Sequence, residues 1–190
     1  VFKTPFTLKP FAEAALSPAL QKLQVGGTVE RHQPVFNGTT DLLTLQFDLQ
    51  GDLAGVQMAA AKSNPQREDN LWQETCFEFF LGLSGSPQYW EFNLAPSGDW
   101  NIYRFSDYRE GMARELAYKE LPFSLTHPQP EQALLQVSFD LAAIVPLGQP
   151  FDLGITMVIL DQAPTHSYWA LAHPGPEADF HRRDGFKITV

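Results

Sequence analysis

Along most of the chain, apolar and polar residues alternate with a period of two. Leu43, Leu45, Phe47 and Leu49 are interleaved with Thr44, Gln46 and Asp48, the pattern of a strand with one buried face. Asn37-Gly38 ahead of it reads as a turn, and residues 56–60 form a second, shorter run. The most regular stretch is 72–105. Thr75, Phe77, Phe79 and Leu81 alternate with Glu74, Cys76, Glu78 and Phe80; after a turn at 82–87, Trp90, Phe92 and Leu94 alternate with Tyr89, Glu91 and Asn93. Pro96-Ser97-Gly98-Asp99 is a tight turn into a third strand at 100–105. This predicts a three-stranded antiparallel meander. Residues 106–130 are polar, contain proline and show no period, so they read as a long connection whose start, 108–116, suits a helical turn. Strands resume at Leu135, Val137 and Phe139, then at 151–160, 168–171 and 186–190. Near the N-terminus, residues 10–16 suit one short helical turn, stopped at Pro18.

Many short strands and little helix predict an all-β fold, an antiparallel β-sandwich of jelly-roll or immunoglobulin-like layout. A length of 190 residues favours one domain over two, so 1–190 is expected to form a single sandwich. The 15 Phe residues suit packing between sheets, and the 15 Pro residues disfavour helix. The net charge of −9 disfavours nucleic acid and anionic membrane as partners. The densest basic stretch, His181-Arg182-Arg183, is flanked by Asp179 and Asp184. A neutral polyhydroxyl ligand or a cation suits that charge. Cys76 is the single cysteine; it permits no intramolecular disulfide and reads as an unreactive strand residue. The chain has no apolar run of membrane-spanning length, and its first residues lack the pattern of a signal peptide. A cytoplasmic location is the expectation.

Alternation sorts the meander into two faces. Phe77, Phe79 and Leu81 share a dry face with Trp90, Phe92 and Leu94; the other carries Glu74, Glu78, Tyr89, Glu91 and Asn93. The third strand is divided by placing Tyr103 and Phe105 inward, which puts Trp100, Ile102 and Arg104 on the carboxylate side. One reading of that face is a solvated surface where Arg104 compensates Glu74 or Glu91. The other is a binding face. Trp72, Trp100 and Trp169 stand at predicted strand ends, and indoles beside hydrogen-bonding side chains are suited to sugar rings.

Enzyme motifs are absent: there is no G-x-S-x-G elbow, phosphate-cradling glycine loop, dinucleotide fingerprint or H-E-x-x-H. Glu74 and Glu78 as a glycosidase pair would stand about 13 Å apart in Cα, wide for either glycosidase geometry unless a neighbouring strand contributes. His173, Asp179 and His181 lie close in one proline-containing loop, where local hydrogen bonding is a better account than metal binding. No metal is expected.

The runs Leu71-Trp72-Gln73-Glu74-Thr75-Cys76-Phe77-Glu78-Phe79-Phe80 and Tyr89-Trp90-Glu91-Phe92-Asn93-Leu94-Ala95-Pro96-Ser97-Gly98-Asp99-Trp100 resemble the DOMON-like domains, relatives of the family 9 carbohydrate-binding modules. The resemblance implies a β-sandwich that binds ligands without catalysis. In sugar-binding relatives two tryptophans sandwich a sugar, while an acid, an arginine and an amide bond its hydroxyls. Carried onto this chain, Trp72 is the first tryptophan, Glu74 the acid, Arg104 the arginine, Asn93 the amide and Trp169 the second tryptophan; Trp100 joins the candidate site from the alternation reading alone. Other relatives bind haem through a Met and a His; Met58, Met112 and Met157 have no evident His partner in the sequence, so no cofactor is expected. The expectation is therefore a non-catalytic domain with a small sugar ligand. A protein-interaction module and a haem-binding redox domain are the alternatives, and a glycoside-processing enzyme is less favoured.

Overall fold

The computed structural model describes residues 1–12, 15–33 and 40–190. The turn expected at Asn37-Gly38 lies outside them, as do Glu13 and Ala14 of the expected N-terminal helical turn. The described residues form two packed antiparallel sheets. In chain order the strands are β1 (Phe2–Thr7), β2 (Lys9–Pro10), β3 (Gln24–His32), β4 (Leu42–Gln50), β5 (Cys76–Leu83), β6 (Tyr89–Leu94), β7 (Trp100–Phe105), β8 (Ala113–Arg114), β9 (Phe123–Gln129), β10 (Gln132–Asp140), β11 (Phe151–Leu160), β12 (His166–Ala170) and β13 (Ile188–Thr189). One sheet runs β1-β3-β4-β10-β9; the other runs β2-β12-β11-β5-β6-β7-β8, with β13 paired to the start of β11. The expected β-sandwich and its β5-β6-β7 meander are present.

The core lies between the sheets. Leu43, Leu45, Phe47 and Leu49 of β4 and Ala133, Leu135, Val137 and Phe139 of β10 pack against the inner faces of β5, β6 and β11. Phe47 meets Phe77 edge-on at 5.3 Å, and Phe79 stacks on Phe92 at 4.3 Å. Each such buried ring contributes roughly 1.5–3 kcal/mol through removal from water. At the end of β3, Arg31 donates two hydrogen bonds to Asp41, of 2.9 and 2.6 Å, with its guanidinium over the Phe151 ring.

Three of the longer strands, β1, β3 and β9, lie where the sequence pattern showed none. In β3, Gly26 and Gly27 break the alternation; a Cβ on Gly27 would stand 1.8 Å from the Gln46 carbonyl oxygen of β4, so the close pairing needs glycine. β1 and β9 are edge strands that tolerate Pro5 and Pro128, because an edge leaves one row of backbone groups unpaired. Residues 56–60 form no strand, only a single bridge from Val56 to Asp161. Residues 108–116 hold a turn and the short β8 rather than a helical turn.

The face assigned to β7 is corrected by its register. Leu94 pairs with Trp100, Phe92 with Ile102 and Trp90 with Arg104, so these β7 residues share the inner side with the core. Asn101, Tyr103 and Phe105 take the outer side. Both sides of β7 carry large apolar residues because both are covered, one by the other sheet and one by loops. Alternation therefore carried no sign there.

Candidate functional site

The outer face of the second sheet holds a separate cluster of Phe80, Tyr89, Tyr103, Phe105 and Phe186, with Trp72 and Phe180 packed against it. Two connections fold over it: residues 106–112 after β7, and residues 171–187 after β12. The second lies close because the strands beneath lack side chains at two points. A Cβ on Gly154 would stand 2.6 Å from the Phe186 ring, and one on Gly82 2.3 Å from the Arg183 guanidinium. Arg183 holds the segment down by donating to the carbonyls of Leu83, Ser86 and Gln88.

Between these loops and the sheet lies a cavity of about 340 Å³, at the small end of ligand pockets. Trp72, Phe80, Phe105, Tyr168 and Phe180 give it an aromatic lining. Glu78 of β5 and Glu91 of β6 supply carboxyl groups, and Arg109, Met112 and His181 complete the wall. Trp72 comes from a 3-10 turn, Leu71–Gln73, and packs edge-on against Tyr103 at 5.8 Å. His166 of β12 bonds the Gln73 carbonyl, tying that turn to the strand that carries Tyr168. Arg109 has φ of 55°, in the left-handed region, and its backbone N–H donates to the Tyr89 hydroxyl. Its guanidinium pairs with Asp179 at 2.8 Å, which clasps the two loops together.

The electrostatics are unusual for a sheet surface. Glu78 is 2% exposed, and its Oε1 has no hydrogen-bond partner; neither has the hydroxyl of Thr156, opposite it on β11. Burial, then the nearby Glu91, push the Glu78 carboxyl well above the usual range. Glu91 accepts a 2.9 Å bond from the Asn93 amide, yet burial raises it to about 7. His181 is lowered to about 4, mainly by burial and then by Arg109. The Tyr89 hydroxyl accepts the Arg109 backbone N–H and shares a 2.8 Å hydrogen bond with His181 Nδ1. His181 Nε2 faces Glu91 Oε2 at 3.8 Å.

Of the residues singled out in the sequence, Trp72 lines the cavity and Asn93 supports its floor through Glu91. The others stand elsewhere. Glu74 follows the Trp72 turn but is exposed, at the rim of a different cleft with Lys62 and Pro96. Arg104 is exposed on the opposite side of the sheet. Trp100 is buried in the core with the Arg67 guanidinium 4.2 Å from its ring. Trp169 is likewise a core residue, paired with Met157, and its indole N–H donates to Ser167. Placing Glu78 and Glu91 on one face follows from alternation alone. Arg109, Tyr168, Phe180 and His181 have no such signal, since loop closure brings them together. His173 bonds the Lys9 carbonyl and Asp179 pairs with Arg109. Among the described residues, no group of three or more His, Cys, Asp or Glu is placed to hold a metal ion.

No family model matches the chain, and no curated protein matches it significantly. A solved structure does: "a putative carbohydrate-binding protein" from Bacteroides uniformis ATCC 8492, with a TM-score of 0.64 at 14% identity, covering 98% of this chain and 84% of that chain. At that identity the likeness is one of fold. Among the described residues no helix is long and apolar enough to cross a membrane.

Proposed function

We propose that residues 1–190 form one non-catalytic binding domain that takes a small carbohydrate into the cavity between the outer sheet face and its two covering loops. The observation that carries this reading is Glu78 Oε1, buried without a partner in an aromatic-lined cavity. A buried polar atom left unbonded is costly, and a ligand hydroxyl would satisfy it while Trp72 and Tyr168 pack against the ring. Glu91, oriented by Asn93, and Arg109 offer further hydroxyl partners. The carbohydrate-binding description of the structural neighbour supports the same reading.

The haem reading is weaker on geometry. Met112 and His181 share the cavity, but His181 Nδ1 is bonded to Tyr89 and its Nε2 is turned to Glu91, so both ring nitrogens face protein groups.

Titration with a panel of mono- and disaccharides, followed by tryptophan fluorescence, tests the proposal. A saturable change is expected, abolished in folded Trp72→Ala and weakened at least about tenfold in Glu78→Gln, the loss typical of one hydrogen bond to a charged or buried group. Silence toward every sugar would remove the proposal and leave the same face to a protein partner.

A further inference from the structure

We infer that the ligand carries a positively charged nitrogen: the cavity is built for an amino sugar with a free ammonium group rather than a neutral sugar. This rests on the reading of the cavity as a sugar site, and goes beyond it in naming the chemical class.

The cavity holds two buried carboxyls and no uncommitted cation among the described residues lining it. From β5 come Glu78 and, beneath it, the buried Cys76 thiol; β6 contributes Glu91 and the Tyr89 hydroxyl, β7 the Tyr103 hydroxyl, and β12 Tyr168. The loops contribute Arg109, Asp179 and His181. Arg109 is the one lining residue with a fixed positive charge, and Asp179 neutralises it at 2.8 Å. His181, lowered to about 4, is neutral at neutral pH. Glu78 Oε1 makes no hydrogen bond, and the neighbouring donors, the Thr156 hydroxyl and the Cys76 thiol, are both uncharged.

A neutral ligand leaves that balance unchanged. Its hydroxyls can bond Glu78 and Glu91, but they supply no counter-charge to carboxyls this deeply buried, which therefore keep their protons. An ammonium group supplies both the charge and several N–H donors. The aromatic lining adds to this, since the faces of aromatic rings attract cations, more strongly when the cation is desolvated. The chain's net charge of −9 favours approach of a cation as well.

Ionising the carboxyls against an incoming ammonium also expels the protons that burial keeps on them. Cation binding is thus coupled to proton release, a signature that a neutral sugar lacks.

The experiment compares D-glucosamine, N-acetyl-D-glucosamine, D-glucose and methylammonium by calorimetry at pH 6.5, with proton release on mixing followed in a pH-stat. Glucosamine is expected to bind at least about tenfold more tightly than either neutral sugar and to release protons as it binds. In Glu78→Gln, and separately in Glu91→Gln, that ratio collapses toward one and proton release falls; the second variant covers a failure of the first to fold. Equal affinity for the three sugars, or preference for the neutral ones, overturns the inference and leaves the sugar reading standing. Binding of methylammonium but no sugar supports the cationic class and removes the sugar reading. Silence toward all four overturns both.

Discussion

The four tryptophans show how one residue type takes different roles according to what covers it. Trp90, Trp100 and Trp169 are 3%, 6% and 3% exposed and belong to the core between the sheets, whereas Trp72 is half-buried against Tyr103 and lines the outer cavity. Truncating a buried indole leaves a large void, so Trp169→Ala is expected to cost about 3–5 kcal/mol, read as a shift in urea midpoint. Trp169→Phe, which keeps most of the packing, is expected to retain the fluorescence response to ligand. Trp72→Ala is expected to show the reverse, with little loss of stability and no response. Retention of the response in Trp72→Ala would place the ligand away from the outer cavity.

At the level of elements, the site depends on a segment laid across a sheet and on how closely it lies. Gly154 sits on β11 under the Phe186 ring, where a Cβ would approach to 2.6 Å. Gly154→Ala is expected to lift residues 171–187, which carry Phe180 and His181, at a cost of about 1–3 kcal/mol from overpacking. Ligand affinity should fall while the β4-β10 core is untouched, a combination that binding titration and urea denaturation together would detect. Unchanged affinity in the folded variant would mean that this segment does not shape the site. The Arg31–Asp41 pair is a different element-scale device, joining β3 to the start of β4 with both side chains 3% exposed or less. Removing one member leaves a buried charge alone, so Arg31→Ala is expected to cost about 3–5 kcal/mol, while replacing both by apolar residues costs less. Equal losses in the single and double variants would contradict that account.

For the whole molecule, the buried titratable groups set how stability changes with pH. Between about 4.5 and 6.5, Glu91 holds one proton in the folded state that the unfolded chain lacks, and His181 lacks one that the unfolded chain holds. Those two contributions cancel in slope. Glu78 does not cancel: its raised folded pKa stabilises fully below the ordinary glutamate range and is lost as pH rises. Above 6.5 Glu91 acts in the same direction until about 7. The urea midpoint is therefore expected to fall from pH 5 to pH 8, and to fall less in Glu78→Gln; an equal drop in both proteins would assign the pH dependence to other groups. Much of this molecule was legible in the residue pattern. The antiparallel sandwich, the β5-β6-β7 meander, the inner Phe77, Phe79 and Leu81, and the sharing of one face by Glu78, Glu91 and Asn93 all follow from side chains that alternate with a period of two. Trp72 was within reach for the same reason, because it stands just ahead of the first of those strands. Strands β1, β3 and β9 were not, since proline and glycine interrupt them and only their partners show why that is tolerated. Nor was the facing of Trp100, Arg104 and Trp169: both sides of the second sheet are covered, so polarity no longer distinguishes inside from outside. Which carboxyl is unpartnered, and which loop residues close over it, was decided by tertiary structure alone, because those contacts join β5 and β6 to segments 20 to 100 residues away, where no local period reaches.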